Sequence, residues 1–303
     1  AVDCGGLNGV CFLRAARDRA AAAHLVIVNH ALLMSDLAAG RALIPDYDVL
    51  IVDEAQHLEE VATSHLGFEI GQPGIDDHLQ ILGGDRGLLR RLAAALRASS
   101  AAETRRGTVD EVSLRISTTL PSVRNGLGQV FSTLGAFLDD NPQGDPAFDR
   151  EARVTSGTRS QPVWSDLEIQ WETADVALGE LQNDLSALLT SLEGLDDAGV
   201  LDYEALLLET ANVLQRNAEL RQQLAEFVPQ PESDGIYWLR RAKRSGDLTL
   251  YAAPIHVGER LDSMLYSQKR SVILTSATMS TGGTFEHVLE RTGFGGAKQL
   301  LVG

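Results

Sequence analysis

The chain has 303 residues, of which 44% are hydrophobic and 22% are charged, and these proportions exclude wholesale disorder. It contains no run of 18 apolar residues and no basic stretch leading into an apolar segment, so we expect no membrane-spanning helix and no secretory signal. Two cysteines are too few for a disulfide framework and favour a reducing, cytoplasmic compartment.

The charge is distributed unevenly. The formal net charge of −16 argues against nucleic-acid binding, because phosphate neutralisation requires Lys and Arg. Residues 1–64 carry −5, residues 65–235 carry −15 and residues 236–303 carry +4. Almost all the acidity therefore lies in the middle of the chain, and the two terminal segments have to be judged separately from it.

A helix is predicted first, over residues 12–24, which are rich in Ala and Arg and contain no breaker. Four short apolar segments, rich in β-branched residues, are predicted as strands. They lack the polar alternation of a half-solvated sheet, which favours strands covered on both faces in a parallel α/β sheet. These segments are residues 25–29, 49–53, 248–252 and 271–275.

Between the second and third segments, apolar residues recur at spacings of three and four, which predicts helices that pack at shallow angles. The predicted helices cover residues 112–137, 167–192 and 206–227, with a shorter one over 75–96 and a long connection over 141–161. The simplest organisation is a helical domain (65–235) inserted between two parts of one α/β domain (1–64 and 236–303). We therefore expect the two terminal segments to share a core.

Residues 49–55 (VLIVDEA) are the strongest chemical signal. A Mg²⁺-dependent nucleoside triphosphatase needs one carboxylate at a strand end, here Asp53, to hold the metal through its water shell. It needs a second, here Glu54, to orient the attacking water. The alternative is that both residues are only the acidic first turn of a helix.

A second motif closes the last apolar segment, where Ser276, Ala277 and Thr278 follow residues 272–275 (VILT). Small hydroxyl residues at a strand end can connect a phosphate site to a nucleic-acid groove through hydrogen bonds. The alternative is an ordinary turn or helix cap.

These motifs together resemble the DinG/XPD family of DNA helicases in superfamily two. The matching stretches are residues 25–33 (LVIVNHALL), 49–60 (VLIVDEAQHLEE) and 272–278 (VILTSAT). The resemblance implies an incomplete RecA-like parallel sheet with an all-α, arch-type insertion. It also implies that the protein acts on single-stranded DNA and DNA forks.

The resemblance also assigns roles to individual residues, with ATP and Mg²⁺ as cofactors. Asp53 would hold Mg²⁺, Glu54 would be the general base, and Ser276 and Thr278 would couple hydrolysis to DNA movement. The family usually has His at the position of Gln56, so the coupling role of this position is open.

Family members often carry a 4Fe–4S cluster on four cysteines near the segment that resembles residues 11–14. Only Cys4 and Cys11 are present here, with six residues between them. They are candidate ligands, with further ligands outside this sequence, or they are two ordinary buried thiols.

Candidate DNA contacts lie in two places. Asn29 ends the first apolar segment and His30 follows it; the pair could face the DNA or the cysteine region, although a lone His there is more often structural. A basic cluster beside Tyr237 and Trp238 suits single-stranded DNA, but could equally be a solvated charge run. The cluster consists of Arg240, Arg241, Lys243 and Arg244.

The sequence contains no Gly-x-x-x-x-Gly-Lys-Ser/Thr phosphate loop. We therefore expect a piece of a longer helicase, which lacks the rest of the motor and is inactive alone. A non-enzymatic helical module that binds protein or DNA on an α/β scaffold is the alternative. A metal-dependent nuclease ranks last, because it needs more clustered carboxylates.

Overall fold

The structure is a computed structural model that describes residues 12–41, 43–141, 149–195, 198–280 and 283–301. The strands are β1 Val49–Val52, β2 Phe68–Gly71, β3 Arg150–Val154, β4 Gly235–Arg241, β5 Leu248–Pro254 and β6 Ser271–Leu274. The helices are α1 Phe12–Ala21, α2 His30–Ala38, α3 Leu58–Leu66, α4 Gln72–Gly83, α5 Leu88–Ala98, α6 Glu103–Asp140, α7 Ser156–Arg159, α8 Pro162–Glu193, α9 Tyr203–Phe227, α10 Gly258–Met264 and α11 Glu286–Thr292.

The chain divides into two compact units. The helical unit contains Glu69–Ser233 and Tyr237–Tyr251. The motif unit contains the described residues within 12–68, 234–236 and 252–301, and it carries both sequence motifs. Residues 237–251 thus group with the helices, whereas the sequence pattern predicts them in the α/β part. No helix among the described residues is long and apolar enough to cross a membrane.

The motif unit is built around β1 and β6. These strands pair in parallel, with Val49 opposite Ser271 and Ile51 opposite Ile273, which confirms the predicted parallel arrangement of these two segments. Leu50, Val52, Val272 and Leu274 pack against the core of this unit. The buried members of that core include Leu33 and Met34 of α2, Leu58 and Ala62 of α3, and Leu261 and Leu265 around α10. Residues from both ends of the chain therefore share one core.

The opposite face of this two-stranded sheet is apolar and exposed. Val49, Ile51 and Ile273 retain 44%, 61% and 49% of their accessible surface. The sequence predicted strands covered on both faces, but among the described residues only one face is covered.

The first predicted strand, residues 25–29, is wrong. These residues form an irregular segment in which Leu25 and Ile27 are 74% and 87% exposed. The side-chain oxygen of Asn29 accepts a hydrogen bond from the backbone N–H of Leu32 and caps α2. Residues 29–33 (NHALL) are therefore the start of a helix. Within the described part of the chain, no strand pairs with residues 25–28.

The helical unit is dominated by α6, α8 and α9, which confirms the three predicted long helices. Their apolar stripes face each other, and Leu134, Leu178, Leu181 and Leu224 are fully buried. Gly126 of α6 lies against Ala174 of α8, where an added Cβ would be 3.0 Å from the Ala174 Cα. A small residue at this crossing allows the two helix backbones to approach closely.

The single helix predicted over residues 75–96 is wrong, because the chain forms α4 and α5 there. A Cβ on Gly84 would meet the carbonyl oxygen of Gln80 at 2.5 Å, so this sharp turn requires glycine. The predicted connection over 141–161 is also not wholly irregular. It contains β3 and the short helix α7, which begins at a capping box formed by Thr155 and Thr158.

The predicted all-α insertion needs a correction, because β2, β5, β4 and β3 form a four-stranded sheet in that order, largely within the helical unit. Segment 248–252 is a strand, as predicted, but it belongs to this sheet and not to the β1–β6 pair. Burial along β5 alternates strictly, so one face of the strand is covered and the other is open. Strands β3 and β4 pair antiparallel, with Arg153 opposite Trp238.

Candidate functional site

The carboxyl ends of β1 and β6 form the candidate site. Asp53 and Glu54 follow β1 directly, and the chain then turns through a short 3₁₀ segment, Ala55–His57, into α3. Both acidic side chains are exposed, whereas Ala55 is fully buried in the core beneath them. Parallel strands place their carboxyl ends at one edge of the sheet, which is where ligands bind in open α/β sheets.

The backbone continues to join the two chain segments beyond the sheet ladder. The N–H of Thr275 donates to the carbonyl of Val52 at 2.8 Å, and the N–H of Ala55 donates to the carbonyl of Thr275 at 3.0 Å. These two bonds hold the residues after β1 against those after β6. The two motifs, which are far apart in sequence, are therefore adjacent in space.

Glu54 has a left-handed backbone conformation, with φ 50° and ψ 42°. Residues other than glycine adopt this region at a cost on the order of 1 kcal/mol or more, and such residues are concentrated at functional sites. This conformation lets the chain reverse between β1 and α3 while both carboxylates stay outside the core. The sequence contained no signal for it.

Gln56 links the two motifs through its side chain. Its Nε2 donates to Glu54 Oε2 at 2.8 Å, and its Oε1 accepts a hydrogen bond from the hydroxyl of Ser276. The Ser276 Oγ in turn accepts the backbone N–H of Thr278 at 3.0 Å. A continuous chain of hydrogen bonds therefore runs from Glu54 to Thr278. Ala277 and Thr278 are exposed in the turn that follows β6.

His30 also belongs to this cluster. Its Nε2 donates to the backbone carbonyl of Asp53 at 2.8 Å, and Asn29 caps the helix that His30 begins. Both residues thus have structural partners in the motif unit. The contact between His30 and Asp53 was not predicted, and only the position of His30 after an apolar segment hinted at it.

The predicted basic cluster lies in the other unit. Arg240 donates to Glu151 at 2.6 Å, Arg241 donates to Asp139 at 2.5 Å, and the backbone N–H of Lys243 donates to Asp149 at 3.0 Å. Arg244 is exposed in the turn between β4 and β5. These side chains are not part of the Asp53–Ser276 cluster.

The cysteine prediction concerns residues outside the described chain, because Cys4 and Cys11 both precede residue 12. Among the residues that are described, no group of three or more His, Cys, Asp and Glu side chains is arranged to hold a metal ion. A single carboxylate that contacts a metal through water, as predicted for Asp53, does not need such a group.

No family model matches the chain, but it is similar to several curated proteins. Over 93% of its length the chain is 26% identical to the ATP-dependent DNA helicase DinG of Photobacterium profundum, and over 93% it is 25% identical to the 3'-5' exonuclease DinG of Bacillus subtilis. The chain is thus similar to the DinG helicases over nearly all of its length. It is also 24% identical, over 96% of its length, to the ATP-dependent DNA helicase YoaA of Escherichia coli.

The match to DinG confirms the family resemblance drawn from the two motifs. The aligned region covers 39% of the Photobacterium DinG and 30% of the Bacillus DinG, so the chain spans about a third of the length of these relatives.

Proposed function

We propose that the chain is part of the motor of an ATP-dependent DNA helicase, which translocates on single-stranded DNA and unwinds duplexes at forks. The names of the DinG and YoaA relatives support this proposal. The single observation that carries it is the hydrogen-bond chain from Glu54 through Gln56 to Ser276. Coupling requires that the residue that activates water and the residue that responds to DNA are physically connected, and these hydrogen bonds connect them directly.

The chemistry assigned to the acidic pair fits its surroundings. Asp53 has no side-chain partner among the described residues, so its oxygens are available to the water shell of Mg²⁺, which prefers hard oxygen ligands. When bound, Mg²⁺ neutralises the charge on the phosphate oxygens of ATP. Glu54 uses Oε2 to accept from Gln56, which orients the carboxylate so that Oε1 can take the proton of the attacking water.

Gln56 is proposed to take the place of the histidine found in the family. The amide donates to Glu54 and accepts from Ser276 at the same time, as its NH₂ and carbonyl groups allow. Movement of the turn at Ser276–Thr278 on DNA would therefore change the orientation of the Glu54 carboxylate. This is the proposed coupling step.

ATP binding requires parts that this sequence does not contain, since it has no phosphate loop. The exposed apolar face of Val49, Ile51 and Ile273 supports the proposal that further strands of the motor cover this sheet. We propose that the 303 residues alone have no appreciable ATPase activity. A 4Fe–4S cluster needs four thiolates, and Cys4 and Cys11 do not supply that set, so no step is assigned to it.

The decisive experiment substitutes Glu54→Gln in the full-length helicase. ATP hydrolysis should fall by about 100-fold or more, because a general base is lost, while binding of ATP and single-stranded DNA should persist. Glu60→Gln is the matched control, because Glu60 is exposed on α3 and the substitution removes the same charge. Unchanged hydrolysis in Glu54→Gln would exclude the catalytic assignment of Glu54. Absence of ATP hydrolysis in the unsubstituted full-length protein would favour the non-enzymatic binding module.

A further inference from the structure

A row of aromatic and cationic side chains lies on the open face of the four-stranded sheet in the helical unit. Trp238 on β4 and Tyr251 on β5 stack with their ring centroids 5.1 Å apart and their planes within 6° of parallel. The guanidinium of Arg240 lies over the same Tyr251 ring, 5.0 Å from its centroid. Alternate residues of each strand, among them Leu239 and Leu250, are buried on the opposite face.

At one end of this row Arg240 and Tyr251 both have partners, whereas at the other end Trp238 can accept a further stacking partner. Arg240 is held by Glu151 at 2.6 Å, and this hydrogen bond raises the pKa of the guanidinium, so the cation over Tyr251 is fixed in place. Tyr251 contacts both Arg240 and Trp238. Among the described residues, no second ring or cation stacks on Trp238, which is only half-buried.

Arg153 lies beside this open end. It is directly opposite Trp238 in the β3–β4 register, it is exposed, and within the described part of the chain it forms no ion pair. A free guanidinium next to an accessible indole combines a group that binds phosphate with a surface that stacks a planar ring. Buried or paired cations could not serve in this way.

The local charge also differs from that of the rest of the helical unit. Residues 237–251 carry four basic side chains and one acidic one, and two of the basic ones, Arg240 and Arg241, are paired with Glu151 and Asp139; residues 65–235 carry a net charge of −15. The acidic groups nearest to the row are Glu151, which Arg240 engages, and Asp149, which accepts from the backbone of Lys243. A polyanion is therefore attracted to this sheet more than to the acidic helices around it.

We propose that this open sheet face, defined by Arg153, Trp238, Arg240 and Tyr251, binds single-stranded nucleic acid. One base extends the ring stack on Trp238, and Arg153 contacts an adjacent phosphate. Single-stranded DNA or RNA fits better than a duplex, because an unpaired base exposes its ring face for stacking and a paired base does not. The inference rests on the proposed function for its ligand class, but it concerns a different unit from the Glu54 site.

Intrinsic fluorescence tests the proposal directly. Trp164 and Trp171 are 1% and 4% exposed, so quenching by an added ligand reports on Trp238, the third tryptophan. An oligothymidylate of about 20 nucleotides, added to the 303-residue chain at low salt, should quench this emission by stacking. Inorganic polyphosphate, which has the charge but no bases, should not quench it.

Variants give the second measurement, by anisotropy of a labelled oligothymidylate. Trp238→Leu should weaken binding by about tenfold or more, Trp238→Phe should restore most of the affinity, and Arg153→Gln should weaken it several-fold. Arg124→Gln is the matched control, because Arg124 is an exposed arginine on α6 of the same unit. Far-UV circular dichroism checks that each variant is folded.

Three results would overturn the proposal: no quenching by oligothymidylate, equal quenching by polyphosphate, or equal losses in Arg153→Gln and Arg124→Gln. None of them touches the catalytic assignment, which the Glu54→Gln experiment tests in the full-length protein. In the full-length protein, weaker DNA binding by Trp238→Leu with an unchanged basal rate of ATP hydrolysis would support this surface independently.

Discussion

The hydroxyl of Ser276 donates a hydrogen bond to the side-chain carbonyl of Gln56, although 220 positions separate the two residues in the sequence. The bond joins the turn after β6 to the turn after β1. Gln56 also donates to Glu54, so the Ser276 side chain is two hydrogen bonds from the proposed general base. This geometry gives Gln56 a physical role, because its side chain connects Ser276 to Glu54.

A double-mutant cycle measures this link. Gln56→Ala and Ser276→Ala should each lower the free energy of unfolding of the 303-residue chain by about 0.5–1.5 kcal/mol. Because each change removes the same bond, the double variant should lose less than the sum, and urea unfolding would show the coupling. Gln56→Ala combined with Ser263→Ala is the control pair, since the Ser263 hydroxyl bonds elsewhere, to the carbonyl of Arg260, and additive losses are expected. Additivity in the Gln56–Ser276 pair itself would contradict the link.

The exposed face of the β1–β6 sheet gives a second prediction. Ile51→Thr and Ile273→Thr should reduce binding of a hydrophobic dye and aggregation of the 303-residue chain, with little loss of stability. The reason is that both side chains are about half exposed or more. Val52→Thr is the matched control, because Val52 is 3% exposed and the same change should cost about 1–3 kcal/mol. In the longer protein proposed above, Ile51→Thr should be destabilising, because further strands are proposed to cover this face.

The buried His78 on α4 predicts a pH dependence of the helical unit. Burial, with a smaller contribution from Arg216, lowers the pKa of His78 to about 4, whereas an unfolded histidine titrates near 6.5. Between these values the unfolded chain binds a proton that the folded chain does not. Stability is therefore full above about pH 6.5 and should fall by about 3 kcal/mol as the pH drops towards 4.

Thermal unfolding of the helices as a function of pH checks this prediction. His78→Leu should remove this part of the pH dependence, since leucine cannot take up a proton. His256→Gln should leave it unchanged, because His256 is exposed. Equal pH profiles for the wild-type chain and His78→Leu would show that another group is responsible.

Core packing in the helical unit is tested by Leu181→Ala. This side chain of α8 is fully buried, and its removal should lower the free energy of unfolding by about 2–5 kcal/mol through lost apolar burial and the resulting cavity. Ile169→Ala on the same helix is the control, because Ile169 is 63% exposed and its loss should cost about 0.5 kcal/mol or less. The loss of helical circular dichroism in urea measures both.

The sequence by itself determined the parts of this protein that local pattern controls. The heptad spacing in residues 167–192 and 206–227 predicted α8 and α9, since a repeat near 3.5 residues specifies one buried stripe on a helix. The VLIVDEA stretch identified β1 and placed Asp53 and Glu54 at its carboxyl end. The same stretch, with residues 272–278, indicated the DinG resemblance that the comparisons confirm.

Only the tertiary structure decided which segments meet. Residues 25–29 (LVIVN) and 248–252 (LTLYA) are both short, mainly apolar runs that were predicted as strands, yet one is irregular and the other is a strand in a second sheet. Strand formation depends on partners that lie far away in the chain, and local composition does not specify those partners. For the same reason the sequence could not predict three features: the Gln56–Ser276 bond, the left-handed backbone of Glu54 and the Trp238–Tyr251 stack. Each depends on contacts between segments that only folding brings together.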